Sequence, residues 1–84
     1  MQVRFVSQEA TDEYGELPRS IKVRMDAILH RLAAWPHVSG AKPLRHGLAG
    51  RYRVRTGDYR MQFFIRGDAV MIEKTGHRDG FYEG

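Results

Sequence analysis

Apolar and polar positions alternate with a period of two in four places along the chain, and in one place they recur with the period of a helix. Val3 and Phe5 share one side of a short opening run. Tyr52 and Val54 alternate with Arg51, Arg53 and Arg55, and Tyr59, Met61, Phe63 and Ile65 alternate with Arg60, Gln62, Phe64 and Arg66. Val70 and Ile72 share one side of residues 69–74. Successive strand side chains point to opposite faces, so each run reads as a half-buried strand. Thr56-Gly57-Asp58 stands between the second and third runs and supplies the glycine that a tight reversal prefers, which makes residues 50–65 a β-hairpin. Gly67-Asp68 is a second turn signal and joins residues 69–74 as a further strand.

The helical period belongs to Ile21, Met25, Ile28, Leu29 and Leu32, which fall on one side of a helix running from Pro18 to about Ala34. Proline suits a helix start because it has no amide proton to leave unpaired, and Trp35-Pro36 stops the helix because the residue before proline is pushed out of the α region. A shorter helix precedes it. Ser7 can cap that helix, Glu9 sits where the helix dipole favours an anion, and Gly15 ends it. The two helices are expected to form an antiparallel pair covering one face of the sheet. Residues 36–50 are rich in breakers and read as a loop, with Leu44 and Leu48 available to pin it to the core. Residues 75–84 read as an irregular tail carrying His77, Arg78 and Tyr82.

Eighty-four residues make one small domain, 1–84, with roughly 60% of the unfolded surface buried. The absence of cysteine excludes disulfides, thiolate catalysis and thiolate zinc sites, and suits the cytoplasm. No apolar run is long enough for a membrane span, and the first residues lack the apolar stretch of a signal peptide. The four histidines have no metal-binding spacing, so neither metal nor cofactor is expected. Charge changes the picture more. The net charge is +4, and it is unevenly placed: Lys42, Arg45, Arg51, Arg53, Arg55 and Arg60 face one acid, Asp58, across residues 42–60, whereas residues 1–16 hold Arg4 against Glu9, Asp12, Glu13 and Glu16.

The alternation puts Arg51, Arg53 and Arg55 on one face, and pairing across the turn brings Arg60 close to Arg53 or Arg55. Like charges on neighbouring strand positions repel, and within the hairpin only Asp58 can offset them. A polyanion would offset them well, since arginine grips phosphate in a bidentate way and is weakly hydrated. Tyr52 and Tyr59 fall on the apolar face and read as core, as do Met25, Met61 and Met71. Phe64 is on the arginine face, to stack on RNA or to pack under the tail. His30 and His37 read as surface residues, and Asp79 and Glu83 as partners for nearby arginines.

Taken in order, the strand-helix-helix opening with Leu17-Pro18, then Ala41-Lys42-Pro43-Leu44-Arg45, then Gly50 to Arg60 ending in Gly57-Asp58-Tyr59-Arg60, and finally His77-Arg78 followed by Tyr82, resemble the RelE/ParE toxin superfamily of type II toxin-antitoxin systems, on its RelE-like branch. The resemblance covers nearly the whole chain. It implies an α+β fold with two N-terminal helices packed on a twisted antiparallel β-sheet. It also implies metal-independent cleavage of mRNA on the ribosome by 2′-hydroxyl attack, and a cognate antitoxin that wraps the toxin in a hetero-oligomer. A ParE-like inhibitor of DNA gyrase and an inactive basic binding module are the alternatives.

By position, the resemblance implies basic residues at Arg53, Arg55 and Arg60 with Arg78 and Tyr82 in the tail; the catalytic set expected here is Arg55, Arg60, His77, Arg78 and Tyr82, with Lys42, Arg45, His46, Arg51, Arg53 and Phe64 extending the RNA-binding surface. Arg53 and Arg55 stand where the best-studied members carry lysine, and the tail from Arg78 to Tyr82 is shorter. Arginine stays protonated and makes a poor general base, so His77 is the expected proton acceptor and His46 the second candidate. Arg60 and Arg55 would grip the scissile phosphate, Arg78 would sit near the leaving group, and Tyr82 would stack on a base or order the nucleophile.

Overall fold

The computed structural model describes residues 1–81. Its elements in order are β1 (Gln2–Phe5), α1 (Gln8–Gly15), α2 (Arg19–Leu32), β2 (Lys42–Pro43), β3 (Arg51–Thr56), β4 (Tyr59–Arg66), β5 (Ala69–His77) and α3 (Arg78–Phe81). The strands form one five-stranded sheet in the order β1-β5-β4-β3-β2. The hairpin signals place β3, β4 and β5 as a meander, antiparallel throughout, with Gly57 and Gly67 at positive φ in the two turns. The hairpin register sets Arg51 against Phe64, Arg53 against Gln62 and Arg55 against Arg60.

Local sequence accounts for the helices. Ser7 Oγ accepts from the backbone N–H of Ala10 at 3.1 Å, satisfying one of the free amides at the start of α1. α2 begins just after Pro18 and ends at Leu32, and the chain then tightens, with the Ala34 and Trp35 amides donating to the carbonyls three residues back at 3.0 Å. Two side-chain contacts tie the end of α1 to α2. Tyr14 Oη donates to Asp26, and Lys22 Nζ donates to the Gly15 carbonyl at 2.9 Å, where it also complements the C-terminal end of α1.

Met25, Ile28 and Leu32 of α2 pack on Val54, Met61, Phe63, Val70 and Ile72, so the apolar faces of β3, β4 and β5 all look toward the helices. Trp35 adds edge-on contacts to Tyr52 and Phe63, with ring centroids 4.6 and 5.4 Å away. Tyr52 and Tyr59 also lie against this core, as their strand parity requires.

Four features depart from the expectations above. Lys42–Pro43, expected in a loop, pair antiparallel with Arg53 and Tyr52. A strand of two residues has no period for a pattern to show. The hydrophobic residues of the loop that pack on the core are Val38 and Ala41, whereas Leu44 and Leu48 are only half-buried. β1 runs parallel to β5, with Val3 opposite Val70 and Phe5 opposite Ile72, because the two helices carry the chain away before it returns to the sheet. Finally, the segment expected as tail is ordered through residue 81: β5 continues to His77, and α3 buries Phe81. Tyr82 and Glu83 lie outside the described residues.

Two substitutions test this account. Leu32, 1% exposed, should cost about 2–5 kcal/mol when truncated to Ala, read as a lowered urea midpoint. Ser7→Ala should cost about 1 kcal/mol through the lost cap, again without a change in urea m-value.

Candidate functional site

The sheet face turned away from the helices is crossed by four rows of side chains. Cross-strand partners share a face, so the pairings give the rows directly. Nearest the β3–β4 turn lie Arg55, Arg60 and Gly76; next come Lys42, Arg53, Gln62 and Lys74; then Arg51, Phe64, Met71 and Arg4; and furthest from the turn Arg66, Ala69 and Gln2. The arginine ladder is therefore a real surface, with cations in every row.

The row at the turn is chemically unsatisfied. Arg55 is exposed and Arg60 half-buried, directly opposite each other. Arg60 Nε and Nη1 are shielded from solvent, and neither has a hydrogen-bond partner among the described residues. A buried charged donor left unpaired costs upwards of about 1–3 kcal/mol, which an incoming anion would offset. Gly76 faces Arg60 from β5 without a positive φ, and a Cβ built there would meet no atom within 4 Å. Glycine is thus not demanded by the backbone at this position, and a side chain there would meet no neighbouring atom.

The other end of the face is satisfied from within. Gln62 pairs with Lys74 and Phe63 with Ile72, so the register steps over Glu73, a β-bulge that turns both Glu73 and Lys74 toward Gln62. Glu73 Oε1 accepts from Arg51 Nε at 2.8 Å and from Gln62 Nε2 at 2.9 Å. The Phe64 ring lies beneath two guanidinium groups, Arg51 at 5.4 Å and Arg66 at 5.2 Å, instead of under the tail. Phe81 packs on this face with the Lys74 ammonium 4.7 Å from its ring centroid.

The remaining sequence candidates separate. Arg78 is drawn to the Arg55–Arg60 end: its backbone N–H donates to the Asp58 carbonyl at 2.7 Å, and its Nε lies 3.8 Å from Asp58 and 3.6 Å from Asp79. These exposed ion pairs hold it weakly. Asp58 thus offsets Arg78 and not the hairpin arginines. His77 is placed elsewhere. It is registered with Tyr59, its ring 5.1 Å edge-on to that tyrosine, and it lines a concavity of about 390 Å³ on the helix side with Glu13, Glu16, Tyr59 and Thr75. Its Nδ1 accepts the Asp79 N–H at 3.1 Å and lies 3.5 Å from the Asp79 carboxylate. Arg45 and His46, the latter at φ 55°, belong to the loop that leads into the start of β3, at the Arg51 end of the sheet. Tyr82 is outside the described residues.

Sequence reasoning missed Glu73 and Gln62. The parity break was present in the chain, since Val70 and Ile72 are buried and so is Thr75, three positions on, but ending the strand at residue 74 hid it. Among the described residues no group of three His, Asp or Glu side chains is placed to hold a metal ion.

Comparison with known proteins gives no matching family model and no matching curated protein. Solved structures do match. The toxin-antitoxin complex RelBE2 from Mycobacterium tuberculosis has a chain 29% identical, with a TM-score of 0.74 over 92% of this chain and 90% of that one. The isolated RelE toxin of E. coli is 18% identical, with a TM-score of 0.76 over 90% of this chain and 82% of that one. The RelB-RelE antitoxin-toxin complex from Methanococcus jannaschii is also 18% identical, with a TM-score of 0.75 over 95% and 93%. A helix pair laid on a mixed five-stranded sheet, matched end to end by three toxin structures, makes this chain a protein of the RelE-like toxin fold.

Proposed function

We propose that this chain is the toxin of a type II toxin-antitoxin pair and that it arrests translation by cutting mRNA on the ribosome. The observation that carries the reading is the Arg55–Arg60 pair, two arginines set directly opposite each other, with two donors of Arg60 unpartnered among the described residues. In the reaction the ribose 2′-oxygen attacks the adjacent phosphorus and the bond to the 5′-oxygen breaks. The products are a 2′,3′-cyclic phosphate and a free 5′-hydroxyl. Negative charge builds on the phosphorane in between. Fixed guanidinium groups aimed at that charge need no reorganisation as it develops, commonly the largest single source of rate.

Arg55 and Arg60 would hold the non-bridging oxygens, and Arg78, anchored at the turn by Asp58, would lie beside the leaving oxygen. Proton transfer is left to solvent or to groups beyond these. The arginines remain protonated, His77 faces the helix side, and Glu73 is engaged by Arg51 and Gln62. Lys42, Arg53 and Lys74, in the adjoining row, extend the positive surface along which the message would run. A partner antitoxin is supported by two of the three neighbours, which were solved as toxin-antitoxin complexes.

Expression of the wild type, Arg60→Ala and His77→Ala in a bacterial host tests the reading, with amino-acid incorporation followed and mRNA 5′ ends mapped. The wild type should stop translation and create new ends within translated messages. Arg60→Ala should lower cleavage about 100- to 1,000-fold. His77→Ala should remain within about tenfold of wild type, well short of the loss expected of a general base. Growth arrest with intact messages and failed replication would instead establish inhibition of gyrase.

A further inference from the structure

We propose that Glu73 is a built-in anion that neutralises the Arg51 end of the basic face and confines the phosphate backbone of RNA to the Arg55–Arg60 end. The proposal rests on the RNA reading above, and it makes Glu73 a specificity-determining residue. Its carboxylate oxygen does for Arg51 and Gln62 what a phosphate oxygen would do, accepting from a guanidinium N–H at 2.8 Å and from an amide N–H at 2.9 Å. Glu73 is 18% exposed, so the pair is less screened by solvent and salt than one at the surface. The bulge holds it there, since the step in register sets Glu73 and Lys74 together against Gln62.

The two ends of the face therefore differ in kind. At the turn, Arg60 has donors with no partner among the described residues, whereas four residues along β3 the Nε of Arg51 is already engaged. Four strand residues span about 13 Å. A phosphate arriving at the near end meets the exposed Arg55 beside Arg60. One arriving at the far end must displace a carboxylate or lie beside it, like charge against like. An RNA strand laid on the sheet is thus held more firmly at the turn than at Arg51, which favours one position along the face.

Salt dependence of binding separates the possibilities. The probe is a short 2′-O-methyl oligoribonucleotide, which cannot be cleaved, titrated between about 50 and 200 mM KCl with wild type, Glu73→Gln and the double variant Arg51→Gln/Glu73→Gln. Each phosphate contact on a single strand adds about 0.7 to the slope of log affinity against log salt. Glu73→Gln should steepen the slope by about 0.7, by releasing Arg51 to the backbone, and the double variant should return to the wild-type slope and affinity. An unchanged slope for Glu73→Gln overturns the proposal, as does a double variant shallower than wild type by about 0.7, which would mean that Arg51 grips phosphate despite Glu73. Absence of binding by all three chains also overturns it. The comparison of wild type with the double variant replaces an ion pair by a neutral pair of similar shape, and it holds even if the single variant folds poorly. Expected slopes without cleavage in cells would sink the nuclease reading and leave the anion in place; cleavage with an unchanged slope would do the reverse.

Discussion

The register of the β3–β4 hairpin is the constraint on which the rest depends. With Arg55 opposite Arg60 and Val54 opposite Met61, every arginine of the ladder lies on one face and every core residue on the other. A slip by one residue would turn Arg53 and Arg55 into the α2 interface and Val54 and Phe63 into solvent, so hydrophobic burial enforces the clustering of charge that electrostatics alone would disperse. Gly57 closes the turn at positive φ and fixes the count. The core and the site are thus two faces of a single pairing.

That coupling explains why so much could be read from the chain. Period-two alternation names the strands and their faces, and the spacing from Ile21 to Leu32 names the helix that covers them. The position of Arg60 near Arg55 follows from turn length alone. What alternation cannot show is a change of phase. The bulge at Glu73 keeps Lys74 on the basic face and Thr75 on the core face, against the simple count from Ile72, whereas Glu73 itself follows that count onto the face where it answers Arg51. His77 illustrates the converse: its parity with Tyr59 was implicit once the strand was known to continue, but its glycine neighbour and position near the end of the chain concealed a strand. Two-residue β2 lies below the length at which any period exists.

The face also shows where stability has been given up. Arg60 keeps shielded donors without partners among the described residues, although a carboxylate from β5 could have faced it and Gly76 stands there instead. Two residues away along β4, Gln62 and Arg51 receive such a carboxylate. The two ends of the face thus differ in how far their donors are satisfied, a difference whose cost the surrounding core offsets.

The parallel pairing of β1 with β5 bears on biosynthesis. Val3 finds its neighbour only in Val70, so the strand made first must wait for the strand made last. Until then neither β5 nor the Glu73 bulge exists to complete the basic face, and the hairpin that has emerged carries its arginines without Gly76 or the Asp58–Arg78 anchor. Long-range closure of this kind is slow compared with helix and hairpin formation. The basic face is therefore completed only once β5 has been made and paired.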